Sequence, residues 1–457
     1  MKYAPYQNYK PGNSDWLLNI PGAWQQIRGR FVMGVNPTPV CLRDLEDADE
    51  VSFVPMEAVG ENGGLNLDRT KPLEEVGSGY TEFENGDVVI AKITPCFENG
   101  KSAIASGLKN GVAFGTTELH VLRAGKRLDM RFLFYLTTSH TFRMLGESEM
   151  YGAGGQKRVP PEFAKDFRVP LPPIEEQQTI ARFLDAKTAQ IDALVAQKRQ
   201  LIDKLKEKRS ALIARTVTRG LPPEAAKAAG LEPHPEMKNS GVDWLGEVPE
   251  RWKVLPLRRL IKFVKTGNTP SGAEDHHFEE NGFNWYSPSD FSDDIYLGLA
   301  NRALSAEGKT EVRIFPEKTV MLVGIGATIG KVGIALGECS CNQQINAIGC
   351  NSKLDPVFAT YYLKILRDFI VKCGKFTTLP IINQDETKNL VFTVPPLSEQ
   401  SAIAIYLDRE TIEIDRLMVQ VDEAISRLTE YRQALITSAV TGKIDVRAVA
   451  SLETEMA

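Results

Sequence analysis

The feature that most constrains how this chain can fold is a long segment written twice. The stretch PPIEEQQTIARFLD starting at Pro172 returns as PPLSEQSAIAIYLD starting at Pro395, and the copies run without a gap to Thr218 and Thr441, with about 22 of 47 positions identical. Unrelated helices of similar composition do not agree to that degree, so one structural unit is used twice. Each copy opens on a Pro-Pro pair, which suits the start of a helix but not its interior, and continues with Glu175 and Glu176 or with Glu399, where the macrodipole favours negative charge. Beyond the start, Leu184, Thr188, Ile191, Val195, Lys198, Ile202, Leu205, Arg209 and Leu212 are spaced alternately four and three residues. Leu407, Thr411, Ile414, Met418, Val421, Ile425, Leu428, Arg432 and Leu435 repeat that spacing. One such stripe alone reads as an amphipathic helix facing a core, whereas two in the same register give each other a partner in a coiled-coil seam. At a rise of ~1.5 Å per residue, a helix of roughly 40 residues is on the order of 60 Å long, a spacer as well as a core.

A second repeat marks where each half begins. Asp15-Trp16-Leu17 followed by Pro21 and Trp24 matches Asp243-Trp244-Leu245 followed by Pro249 and Trp252. The chain is therefore two half-length copies. Between these markers the halves are only weakly alike: Gly100-Lys101 after Val88-Val89-Ile90 echoes Gly330-Lys331 after Val320-Met321-Leu322, and Asp129 to Tyr135 echoes Asp355 to Tyr361. The globular parts are expected to share a fold but not a surface.

With 457 residues, 42% of them hydrophobic, the chain has material for several packed cores. The segment from about Leu221 to Asn239 is rich in Pro and Ala and reads as a tether. Six cysteines without a CxxC pair and five histidines without ligand spacing read as free thiols of a reducing cytoplasm and no metal site. Neither a secretory-type leader nor a run of about 18 apolar residues is present, so a soluble cytoplasmic protein with no membrane partner is expected.

The glycine-rich string GIGATIGKV from Gly324 fits neither a phosphate loop nor a dinucleotide fingerprint, and Val332 follows Lys331 where a Mg²⁺-binding hydroxyl is needed. A strand, a tight Gly-Lys turn and a second strand is the structural reading. No Gly-x-Ser-x-Gly elbow or His-Glu-x-x-His helix appears, and Asn36-Pro37-Thr38 lacks the second proline and aromatic of an amino-methyltransferase motif. A binder, not an enzyme, with no catalytic residues, metal or cofactor of its own is expected.

The formal charge of −5 argues against indiscriminate nucleic-acid binding but leaves room for local basic faces. Arg251, Lys253, Arg258, Arg259, Lys262 and Lys265 crowd the start of the second half, and Lys198, Arg199, Lys204, Lys206, Lys208, Arg209, Arg215 and Arg219 the end of the central helix. Lysines near a helix C-terminus also simply suit the dipole on a solvated face. Side chains able to read base edges or touch phosphate fall in polar, glycine-rich segments. In the second half these are Thr266, Asn268, Thr269, Ser271, Lys331, Asn342, Gln343 and Gln344; in the first, Lys92, Thr94, Asn99, Lys101, Gln156, Lys157 and Arg158. Each is a candidate DNA contact, against the plainer reading of an ordinary loop or strand-end residue.

Two variable globular parts, each introduced by a Trp-Leu and Pro-x-x-Trp element and each closed by a Pro-Pro helix carrying Glu-Gln, resemble the specificity subunit of Type I DNA restriction-modification systems. The string from Ser240 to Pro249 and the helix starts at Pro172 and Pro395 are the most specific elements, and the likeness spans essentially the whole chain. The resemblance implies an α+β fold with a pseudo-twofold internal repeat. Two mixed α/β-strand target-recognition domains would be separated by two long helices forming an antiparallel coiled coil. The expected layout is a first target-recognition domain over 1–171, a central helix over 172–220, a linker over 221–239, a second target-recognition domain over 240–394, a C-terminal helix over 395–445 and a disordered tail over 446–457. The resemblance further implies that each domain reads one half of a bipartite, asymmetric site in double-stranded DNA. The helices would set the spacing and dock two methyltransferase (M) subunits, joined by restriction and translocase (R) subunits. S-adenosylmethionine, ATP and Mg²⁺ then belong to those partners. The alternative is a non-catalytic scaffold or DNA-binding protein with two globular arms on a coiled coil.

Overall fold

The computed structural model of the chain describes residues 3–448, apart from 62, 77–78, 154, 233–235, 274 and 374–380. Two long helices dominate, α2 (Ile174–Arg219) and α4 (Leu397–Val440), each preceded by a shorter one, α1 (Met130–Thr138) and α3 (Pro356–Ile365). The chain forms two compact units, Met1–Arg199 with Asp422–Ala457, and Gln200–Val421. Each unit thus takes one half of each long helix, so a unit is not a contiguous stretch of sequence.

That division is the signature of antiparallel pairing. In the first unit, Leu184 and Ile191 share a core with Leu435, Ile436, Ala439 and Val440. In the second, Ile213 and Val217 share a core with Ile403 and Leu407. In both, one end of one helix meets the opposite end of the other. Two ion pairs repeat the pattern: Arg432 Nε lies 2.9 Å from Asp192 in the first unit, and Arg209 Nε 2.9 Å from Asp415 in the second. Arg209 and Arg432 occupy the same position of the sequence repeat, as do Asp192 and Asp415. The arginines within the apolar seam are therefore the ionic lock of each end of the pair. None of the seam side chains Leu184, Ile191, Val195, Ile202, Leu205, Leu212, Leu407, Ile414, Met418, Val421, Ile425, Leu428 and Leu435 is exposed.

The helix starts repeat because each docks its unit in the same way. Glu176 accepts the indole N–H of Trp24 at 3.0 Å, and Glu399 that of Trp252 at 3.1 Å. The fully buried Gln177 donates to the carbonyls of Arg127 and Pro172 and accepts from the Asp129 amide. Gln400 does the same with Lys353, Pro395 and Asp355. Asp129 and Asp355 in turn cap α1 and α3. About two turns further along each long helix, Tyr135 donates to Asp185 at 2.7 Å and Tyr361 to Asp408 at 2.8 Å, with burial raising both phenol pKa values so that they remain donors. The sequence repeats in the helices and in the Trp elements are the two sides of one set of contacts.

Against this frame each unit builds a sheet of one design. In the first, β1 (Met33–Val35), β2 (Val88–Ala91), β3 (Ser102–Ile104) and β4 (Leu119–Ala124) assemble in the order β1-β4-β2-β3. In the second, β5 (Ile261–Thr266), β6 (Thr319–Val323), β7 (Val332–Ala335) and β8 (Ile345–Cys350) assemble as β5-β8-β6-β7, extended by Tyr296–Leu297 parallel to β7. β2, β6 and β7 are buried throughout, as strands covered on both faces must be. Residues 324–331 of GIGATIGKV connect the antiparallel strands β6 and β7, and its Val332 opens β7.

Two expectations need adjustment. The 221–239 segment is not a bare tether: Pro223–Ala228 is helical with Ala226 buried, and Met237–Asn239 pairs with Glu247–Pro249. The tail expected from 446 begins with Val446 fully buried in the first unit's core, while the Asp445 amide donates to Ala4; residues 449–457 lie outside the described residues. In both places small apolar residues find a covered surface that local composition does not announce. Cys41, Cys96, Cys339, Cys341 and Cys350 are free thiols, and among the described residues no metal-binding cluster occurs and no helix is long and apolar enough to cross a membrane.

Candidate nucleic-acid interface

Because β4 runs antiparallel to both β1 and β2, the end of β1, the end of β2 and the start of β4 lie on one edge of the first unit's sheet. The same holds for β5, β6 and β8 in the second. At that edge the hydrogen bonds of the two units match one for one. Lys92 N donates to Glu118 O at 2.9 Å and the Val159 amide to Lys92 O at 2.9 Å; Gly324 N donates to Gln344 O at 2.8 Å and the Ile382 amide to Gly324 O at 2.9 Å. Isolated bridges pair Ile93 with Arg158 and Ile325 with Ile381. A side chain completes each set: His120 Nε2 lies 2.8 Å from the Val159 carbonyl, and Asn346 Nδ2 donates to the Ile382 carbonyl at 3.0 Å. With Asn36 Nδ2 3.3 Å from its Nδ1, His120 fits a neutral ring donating through Nε2, and burial lowers its pKa. Lys92, Glu118, His120 and Arg158 therefore occupy the positions of Gly324, Gln344, Asn346 and Ile381.

In the first unit this edge is charged. Arg158 holds Glu118 through Nε at 2.9 Å and Nη2 at 2.8 Å, which with the charge of Lys92 keeps the Glu118 carboxyl below its usual pKa. Gln156 and Lys157 are exposed beside it. Thr94 binds the Lys157 carbonyl through both its amide and its hydroxyl, and Asn99 reaches Glu61 at 3.3 Å.

The second unit's edge is rich in amides. Thr269 donates to Gln343 at 2.9 Å, joining segments 74 residues apart, and Asn342 donates to Gln344 at 3.0 Å. Gln384 donates to the Thr266 hydroxyl at 3.4 Å, and Asn268 and the Ser271 amide are tied to Glu311. Two glycines permit the crowding: a Cβ on Gly267 would lie 1.8 Å from the Cys341 carbonyl oxygen, and one on Gly324 2.9 Å from Asn346 Nδ2.

The structure thus brings Lys92, Thr94, Gln156, Lys157 and Arg158 together in one unit, and Thr266, Asn268, Thr269, Ser271, Asn342, Gln343 and Gln344 in the other. It turns two candidates inward. Lys101 Nζ donates to the Met56 carbonyl at 3.0 Å and Lys331 Nζ to that of Phe291 at 2.7 Å, so each ammonium fastens the turn that carries it. Sequence reasoning passed over Asn36, Glu118 and His120, and Gln384 in the second unit. The tripeptide Asn36-Pro37-Thr38, weighed only as a failed catalytic motif, ends β1 on this edge; no local signal marked the others.

The family model for the Type I restriction modification DNA specificity domain matches residues 46–204 and 249–425, more than half of the chain. The chain belongs to this family. Among relatives, it is 42% identical over 165 residues to the Type I restriction enzyme EcoAI specificity subunit of Escherichia coli, a match covering 36% of this chain and 28% of that subunit. It is 25% identical over 422 residues to a putative Type I specificity subunit of Haemophilus influenzae, covering 86% of this chain and 97% of that one. Among solved structures, a chain from work on assembly and conformational transition of the Type I R-M system aligns with TM-score 0.72 at 19% identity, over 93% of this chain and 99% of that chain. The HsdS subunit of Thermoanaerobacter tengcongensis aligns at 0.52 and 19% identity, over 93% and 98%. These last likenesses concern the fold of the specificity subunit. The chain spans 28% of the length of the EcoAI subunit.

Proposed function

We propose that this chain is the DNA-reading subunit of a Type I restriction-modification complex, each unit recognising one part of a split, asymmetric site and the helical pair setting the gap and docking methyltransferase subunits. The observation that carries the reading is the sheet edge built twice on matched backbone hydrogen bonds and furnished with different side chains, charged in one unit and amide-rich in the other. Repetition of the frame suits a common task of holding a duplex; divergence of the side chains suits two different sequences. A protein with only structural arms has no need of either polar edge. On this reading 1–171 and 240–394 are the reading domains, 172–220 and 395–445 the spacer, and catalysis belongs to the partners.

The test is co-expression of the full chain with the methyltransferase encoded beside it, followed by mapping of adenine methylation across a test genome. Methylation on one split, asymmetric motif with a fixed gap is the expected result. If the purified chain recruits no methyltransferase and shows no salt-dependent DNA binding, the scaffold reading replaces this one.

A further inference from the structure

At one position of the shared frame the two units differ in kind. Where the first has Glu118 and Arg158 locked together, the second has Gln344 and Ile381, with the same backbone bonds holding both. We propose that Glu118 and Arg158 form a preset fork that reads a G·C base pair in the half-site of the first unit, and that Gln344 and Ile381 deny the second unit that readout. This rests on the DNA-reading function proposed above.

Arg158 engages Glu118 through Nε and Nη2 and lends Nη1 to the Gln156 carbonyl at 3.3 Å. Of the five guanidinium N–H groups, one on Nη1 and one on Nη2 remain, side by side on the outer end of the fork. That end matches the O6 and N7 acceptors of guanine in the major groove, while a carboxylate retains lone pairs for the N4 amino group of cytosine. The side chains are 36% and 24% exposed, so a base edge can reach them without local unfolding. The ion pair holds the long arginine in one rotamer before DNA arrives, which removes part of the ordering cost of binding. Exposed Gln156 and Lys157 lie beside the fork, where an amide and an ammonium suit a base edge and a phosphate. In the second unit Ile381 offers no donor, and the amides of Gln343 and Gln344 on the same edge suit adenine.

The experiment maps methylation by the full complex carrying Arg158→Gln or Glu118→Gln beside the wild type. The expected wild-type motif has a G·C pair in one half. Arg158→Gln should relax that pair by about tenfold to hundredfold in preference, leaving the other half and the gap intact. Glu118→Gln should act at the same pair more weakly, because Arg158 keeps a neutral acceptor. If both variants keep the wild-type motif and only lower the melting temperature, the pair is a structural clasp and the proposal is overturned. Should Arg158→Gln fail to fold, Glu118→Gln carries the same test. A wild type that yields no split motif would sink the functional reading itself, an outcome distinct from an unchanged motif in the variants.

Discussion

Replacing Gln177 by Ala removes a side chain that is fully buried and makes three hydrogen bonds, two to the carbonyls of Arg127 and Pro172 at 2.9 and 2.8 Å and one from the Asp129 amide at 2.8 Å. Alanine replaces none of them. At about 1 kcal/mol net for each, the loss is about 3 kcal/mol, with the stranded amide pushing the figure upward and water entering the space pulling it down. For a unit of roughly 200 residues this shifts the melting temperature by about 6–12 °C. The effect should be confined to the unit containing Gln177, because its partners all belong to that unit; Gln400→Ala is the mirror experiment in the other. Calorimetry gives the shift, and hydrogen exchange locates it, with protection lost around Arg127–Asp129 in one variant and Lys353–Asp355 in the other. A shift under about 2 °C, or equal loss of protection in both units, would refute the view that this glutamine clasps helix to domain.

Further outcomes follow from the same contacts. Burial raises the pKa of Glu399, so the wild type is favoured at low pH and loses that advantage as pH rises through the folded value; Glu399→Gln should gain stability relative to wild type across that rise, with no difference below about pH 4, the unfolded range. Removing Asp192 takes a carboxylate from Arg432, whose side chain is 8% exposed, whereas removing Arg432 leaves a half-exposed carboxylate; Asp192→Ala should therefore cost about 2 kcal/mol and Arg432→Met about 1, read from denaturant midpoints, with the double variant below the sum. Seven residues added to α2 alone should disrupt the seam and lower the yield of folded protein, while matched additions to α2 and α4 should lengthen the gap in the methylated motif; an unchanged gap would count against the helical pair as a ruler.

Much of this arrangement was legible in order of how local its physics is. The long helices announced themselves by a four-three spacing that depends only on helical pitch, and the repeat made their pairing readable because two matched stripes need each other. Asp129 and Asp355 were visible as echoes because an N-cap is a one-turn contact. The candidate edge was half legible: Thr269 and Gln343 were both singled out, but not that they touch.

The sequence by itself determined the doubled architecture, the long helices, the Trp and Pro-Pro anchors and the family, because periodicity and repetition survive without knowledge of what lies across the fold. Tertiary structure alone decided which polar side chains face outward and which hold the frame. Lys101 and Lys331 look like phosphate contacts in a glycine turn until strand pairing brings the carbonyls of Met56 and Phe291 beneath them. The equivalence of Lys92 with Gly324, and of His120 with Asn346, is invisible in residue identity because backbone hydrogen bonds across the sheet define it, and those bonds are indifferent to the side chains they carry.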